Sequence, residues 1–121
     1  MKYLALIYSP PSPGPEPEPG TPEFAAFMQP WIEADTAFRE AGVYVAGDAL
    51  MPVEMATTVR VRGGKTETMD GPFAETKEQL GGYYMFDCKD LDEALKYAAM
   101  IPVHDFGCVE VRPVMDLPDF E

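Results

Sequence analysis

The stretch Lys2-Tyr3-Leu4-Ala5-Leu6-Ile7-Tyr8 constrains the fold more than any other part of this chain. Strand alternation puts Tyr3, Ala5 and Ile7 on one face and Leu4, Leu6 and Tyr8 on the other. Both sets are apolar, so this reads as a central strand that must be covered on both sides. Helices of the same chain can cover one face. The other needs something more, and a second subunit is the economical candidate.

A length of 121 residues suits one domain spanning residues 1–121, large enough to bury a core without disulfides or metals. The net charge of −12 argues against direct contact with nucleic acid, which needs Lys and Arg to neutralise phosphates. It also disfavours docking on an anionic membrane. Met1 to Tyr8 is too short for a signal peptide or a membrane span and runs into prolines, which places the chain in the cytoplasm. Cys88 and Cys108 would stay reduced there, and neither lies in a Cys-x-x-Cys pattern. With His104 as the single histidine, no standard zinc site can be assembled. Neither a metal nor another cofactor is expected.

Residues 9–22 form a proline-rich loop, read as a stiff connector. Thr21-Pro22-Glu23 is a helix start, with a hydroxyl cap, proline at the first helical position and an acid in the first turn. Phe24, Phe27, Met28, Trp31 and Phe38 then recur at helical spacing and fit a helix lying on a sheet. Pro30 predicts a kink or a break. Gly42 supplies a left-handed cap.

Val43 to Ala46 reads as the next strand. Thr57–Arg62 and Lys65–Met69 make a hairpin about Gly63-Gly64, with Arg60, Arg62 and Lys65 turned outward to protect its edge. Tyr83 to Cys88 is a further strand. Asp90-Leu91-Asp92-Glu93 is a capping box that opens a second helix, and Pro102 stops it. Cys108 to Pro113 is the last strand, with Val109 and Val111 inward. Both cysteines read as small buried hydrophobes. Residues 114–121 form an acidic tail, frayed or lying on a neighbour. The order strand, helix, strand, inserted hairpin, strand, helix, strand is an α+β, ferredoxin-like split βαβ arrangement.

The segment from Asp70 to Gly82 is too irregular for plain secondary structure. Asp70 can accept backbone N–H bonds and hold the turn begun by Gly71-Pro72. Phe73, large and apolar, should be buried against the sheet or a partner subunit. Glu75, Thr76, Lys77 and Glu78 are not required by a turn. They fit either an ion-pair network or a site in which Asp70 or Glu75 acts as general base while Lys77 holds an anionic group. His104 has a side chain suited to acid–base work at neutral pH. Tyr8 and Tyr83 are candidate pocket walls.

The run Asp70-Gly71-Pro72-Phe73-Ala74-Glu75-Thr76-Lys77-Glu78, followed by Gly81-Gly82-Tyr83-Tyr84, Leu91-Asp92-Glu93-Ala94 and Val109-Glu110-Val111-Arg112-Pro113, resembles the DGPF branch of the YCII-related proteins. The resemblance implies a ferredoxin-like subunit paired face to face into a dimeric α+β barrel, with a cleft between sheet and loop. The sister branch carries a His–Asp pair. Here Glu23-Phe24-Ala25-Ala26 stands where its histidine would fall, and Ile101 before Pro102 where its aspartate would. DGPF proteins also resemble partners of extracytoplasmic-function sigma factors. Two readings follow. One is a homodimeric small-molecule-binding protein of unassigned activity, with lyase or isomerase chemistry in its cleft. There the candidate catalytic residues are Asp70, Glu75 and His104, and the candidate ligand contacts are Tyr8, Phe73, Lys77 and Tyr83. The other is a non-catalytic regulatory or interaction module associated with a sigma factor. The residues alone do not decide whether the chain is an enzyme.

Overall fold

The computed structural model describes residues 1–11, 16–103 and 107–119. Its elements run β1 (Lys2–Ser9), α1 (Pro22–Glu40), β2 (Tyr44–Ala49), a 3₁₀ turn (Val53–Met55), β3 (Thr57–Arg62), β4 (Lys65–Asp70), β5 (Gln79–Asp87), α2 (Leu91–Ala98) and β6 (Cys108–Pro113). Four strands make one antiparallel sheet in the order β2-β5-β1-β6, and β3-β4 stand apart as a hairpin. Each helix therefore crosses between parallel strands with a third strand lying between them. This is the ferredoxin-like pattern, and β1 is central in it.

Alternation along β1 sorts the sheet into two faces. Tyr3, Ala5 and Ile7 are buried with Phe86 of β5 under Ala34 and Phe38 of α1 and Ala94 of α2. Phe38 is the hub. Its ring lies 4.8 Å from that of Phe86, 5.1 Å from Tyr84 and 6.2 Å from Tyr97, all at edge-to-face angles, the geometry that aromatic quadrupoles favour. Leu4, Leu6 and Tyr8 point to the opposite face and stay half-buried.

The start of each helix and the end of α1 follow the sequence signals, whereas α2 already ends at Ala98, short of Pro102. Thr21 caps α1 by accepting from the Phe24 N–H at 3.2 Å, and Asp90 caps α2 by accepting from the Glu93 N–H at 2.9 Å. Glu93 reaches back one residue further than a capping box requires, to the Lys89 N–H at 3.1 Å. α1 ends in a Schellman motif. Gly42 takes φ +73°, its N–H donates to Arg39, and the Val43 N–H donates to Phe38, while Val43 and Phe38 share the core.

Several expectations are corrected. α1 is one helix through Pro30, so there is no break into two helices. A proline removes one internal hydrogen bond, which the other turns of a 19-residue helix outweigh. Its apolar stripe is buried only in the second half, at Ala34 and Phe38, and Phe27 stays 45% exposed. β2 extends through Asp48 and Ala49, and β5 starts at Gln79 rather than Tyr83, because Gly82 lets the two backbones close up. A Cβ there would come within 2.9 Å of the Asp48 carbonyl oxygen. The hairpin turns at Gly63-Gly64 with both φ positive, +57° and +79°, as a type I′ turn requires. Arg62 and Lys65 are exposed as expected, but the outward reading does not hold for Arg60. Arg60 is half-buried while Val59 and Val61 are 61% and 68% exposed.

Candidate functional site

The loop between β4 and β5 is fixed at both ends. At its entry the Gly71 N–H donates to the Ala56 carbonyl at 2.7 Å, and the Thr58 hydroxyl donates to the Gly71 carbonyl at 2.8 Å. Gly71 adopts φ +97°, open to glycine and strained for other residues. The Asp70 carboxylate takes no part in these bonds, contrary to expectation. Towards its exit, the Thr76 hydroxyl donates to the Glu78 carbonyl. The Glu78 carboxylate in turn accepts from the Cys108 thiol at 3.4 Å, tying the loop to the first residue of β6.

These contacts frame an open cleft of about 680 Å³ lined by Tyr8, Pro10, Thr76, Lys77, Glu78 and Cys108. It lies where β1 ends and β6 begins, since Tyr8 pairs with Cys108 in the sheet. Tyr8 and Lys77, both expected as ligand contacts, are brought together here. Asp70 and Glu75 do not line the cleft. Asp70 is the last residue of β4, opposite Thr57, at the far end of the loop. His104 lies outside the described residues.

Phe73 and Tyr83 are placed elsewhere. Phe73 is 74% exposed and is not buried against its own sheet. The Arg60 guanidinium stands 5.4 Å from its ring centre, within cation–π range. The Tyr83 hydroxyl donates to Asp48 at 2.8 Å. That carboxylate pushes the phenol's pKa up, with smaller contributions from burial and from Tyr44, because ionisation would set two negative charges side by side.

Pro10, Thr76, Glu78 and Cys108 line the cleft without having been expected as catalytic residues or ligand contacts. Cys108 is exposed, not a buried hydrophobe. The signal was present in the alternation of the last strand: with Val109 and Val111 inward, Cys108 and Glu110 must point the other way. The thiol pKa is raised, first by its hydrogen bond to Glu78, then by burial and by the charges of Glu78 and Glu110. At neutral pH Cys108 is thus a protonated donor rather than a thiolate nucleophile. Cys88 sits at the other end of β1, with its N–H on the Met1 carbonyl, so the two cysteines are separated by the length of that strand. In the cleft, Lys77 supplies a cation, Glu78 a carboxylate, Cys108 a weak donor, and Tyr8 with Pro10 a largely apolar wall. A second groove, of about 620 Å³, lies between α2 and β6. It is lined by apolar residues such as Leu95, Ile101 and Val109, with no acid–base group among the described residues. Among the described residues no helix is long and apolar enough to cross a membrane.

A split βαβ sheet with an open cleft bounded by this loop gives a specific pattern to compare. The YCII-related domain model matches residues 1–118. The chain belongs to the YCII-related family. A relative from Rhizobium meliloti (strain 1021), described as an uncharacterized protein, is 48% identical over 79 residues. That match covers 64% of this chain and 64% of the relative. Within this YCII-related fold, the cleft beside the 71–78 loop is the place where cation, carboxylate and apolar wall converge.

Proposed function

We propose that this YCII-related protein belongs to the DGPF branch and works as a homodimer. Each subunit binds a small organic anion in the cleft between β1, β6 and the 71–78 loop. The observation that carries the reading is the presence of Lys77 and Glu78 on one cleft wall, with Glu78 fixed by Cys108 at 3.4 Å. Lys77 pairs with a carboxylate of the ligand, and its apolar part lies against Tyr8 and Pro10. Glu78 faces the ligand as a proton acceptor. That suits abstraction of a proton next to a carbonyl, the step shared by many lyases and isomerases. The homodimer is supported by Leu4 and Leu6, apolar residues on the sheet face that carries no helix. Two such faces packed together form a dimeric α+β barrel.

Titration of the ¹⁵N-labelled protein with pyruvate, oxaloacetate and acetoacetate tests the binding. Shifts should cluster at residues 8, 76–78 and 108, and Lys77→Ala should weaken binding about tenfold or more, the scale of a charge-assisted contact. Deuterium uptake next to the ligand carbonyl in D₂O tests the chemistry, and Glu78→Gln should abolish it while binding persists. Absence of shifts at these residues with all three acids would overturn the site.

One observation favours the second reading, a non-catalytic module associated with an extracytoplasmic-function sigma factor. Asp70 and Glu75, the expected acid–base residues, stand outside the cleft. Binding without any deuterium uptake would select that reading.

A further inference from the structure

Among the described residues the β3-β4 hairpin is a two-stranded ribbon with no third strand, a form that is marginally stable in water on its own. Its outer surfaces are apolar and basic. Val59 and Val61 share one face at 61% and 68% exposure, and Met69 on the other is 54% exposed. Between Thr57 and Asp70 the basic residues Arg60, Arg62 and Lys65 outnumber the acidic Glu67 and Asp70, in a chain of net charge −12. The last rung sets Arg62 directly opposite Lys65, a like-charge pair that costs stability until an anion offsets it.

The complementary pattern lies in the tail. After the Val114 N–H is anchored on the Lys2 carbonyl at 2.9 Å, Met115, Asp116 and Leu117 continue outside regular secondary structure. Met115 is 77% and Leu117 63% exposed. Within one chain, then, the exposed apolar residues of the tail and those of the hairpin do not cover each other. We propose that in the dimer the tail of one subunit adds as a third strand to the free edge of β3 in its partner. This deepens the homodimer reading and rests on it. One register satisfies both faces at once. With Asp116 opposite Arg60, Met115 and Leu117 fall opposite the two valines, because alternate side chains of an added strand point to alternate faces.

Charge exchange in the full-length chain tests the pairing. Arg60→Glu alone and Asp116→Lys alone should each weaken dimerisation about tenfold by sedimentation equilibrium, as expected for an attractive cross-strand contact made repulsive. The chain carrying both changes should recover most of that loss. A second measurement is independent of folding effects. Val59→Cys and Leu117→Cys chains, the positions that face each other when the tail runs antiparallel to β3, each also carrying Cys108→Ser, are mixed and oxidised, and should form a disulfide between the two different chains. Unchanged association in both single variants, or no mixed disulfide while the protein still dimerises, would overturn the tail–hairpin pairing and leave the homodimer standing. A protein that is monomeric throughout would overturn the homodimer itself.

Discussion

At the level of single residues, the environment decides which side chains can do chemistry. Cys88 and Cys108 look alike in sequence and differ in the fold. Cys88 is buried and its thiol is pushed up to about 11, first by burial and then by Glu93 and Asp87. A raised pKa of this kind stabilises the fold through the neutral thiol. The contribution is whole below the ordinary cysteine value near 9 and is lost as pH climbs to 11, because the unfolded chain ionises first. The melting temperature should therefore fall between pH 9 and 11. Cys88→Ala should remove part of that fall, and melts of both proteins across the window check it. Phe73 makes the opposite point. At 74% exposure it has little core burial to lose, so Phe73→Ala should change the stability of the dissociated subunit by no more than about 0.5 kcal/mol. Urea melts at the lowest workable protein concentration measure this. A larger loss would mean that the ring is covered in solution.

Among the elements, the sequence was most readable where local chemistry and burial agree. The hydroxyl cap at Thr21, the carboxylate cap at Asp90, the glycine past α1 and the Gly63-Gly64 turn all depend on the chain's own neighbours, and each is found where its pattern predicts. Contacts across the fold were less readable. The stripe from Phe24 to Phe38 looks uniform, yet only Ala34 and Phe38 are buried, because nothing local tells how far a helix overlaps its sheet. The extension of β5 back to Gln79 depends on the partner strand accepting Gly82, which no local pattern encodes. The candidate site divides in the same way. Tyr8 and Lys77 were legible from position and charge. Glu78 and Cys108 needed the pairing of β1 with β6. Two predictions belong at this scale. Phe38→Ala should cost about 3–5 kcal/mol, since a fully buried ring among three aromatic neighbours leaves a cavity. Pro30→Ala should instead stabilise by about 1–3 kcal/mol by restoring a helix hydrogen bond and a good helix former. Chemical denaturation of each variant checks both.

For the whole molecule, the decisive asymmetry is between the two faces of the sheet. Both helices pack over Tyr3, Ala5, Ile7 and Phe86, and none covers Leu4, Leu6 and their neighbour Met85, which pairs with Leu4 across the β1-β5 ladder. Burial of apolar surface contributes about 25 cal/mol per Å², so two such faces would gain by meeting, and in the proposed homodimer the central position of β1 puts its side chains in the middle of the contact. In the proposed dimer a charge placed there would have no partner and could not reach water from the centre of the interface, which makes Leu6→Arg the sharpest probe. On the helix side of the sheet nothing changes, so the subunit should keep its fold and its far-ultraviolet circular dichroism. The assembly should fall to a single chain of 13.4 kDa in sedimentation, and the concentration dependence of its melting temperature should vanish. A parent protein that already sediments as one chain would remove the argument. A Leu6→Arg variant that still dimerises would move the contact away from this face and onto another surface.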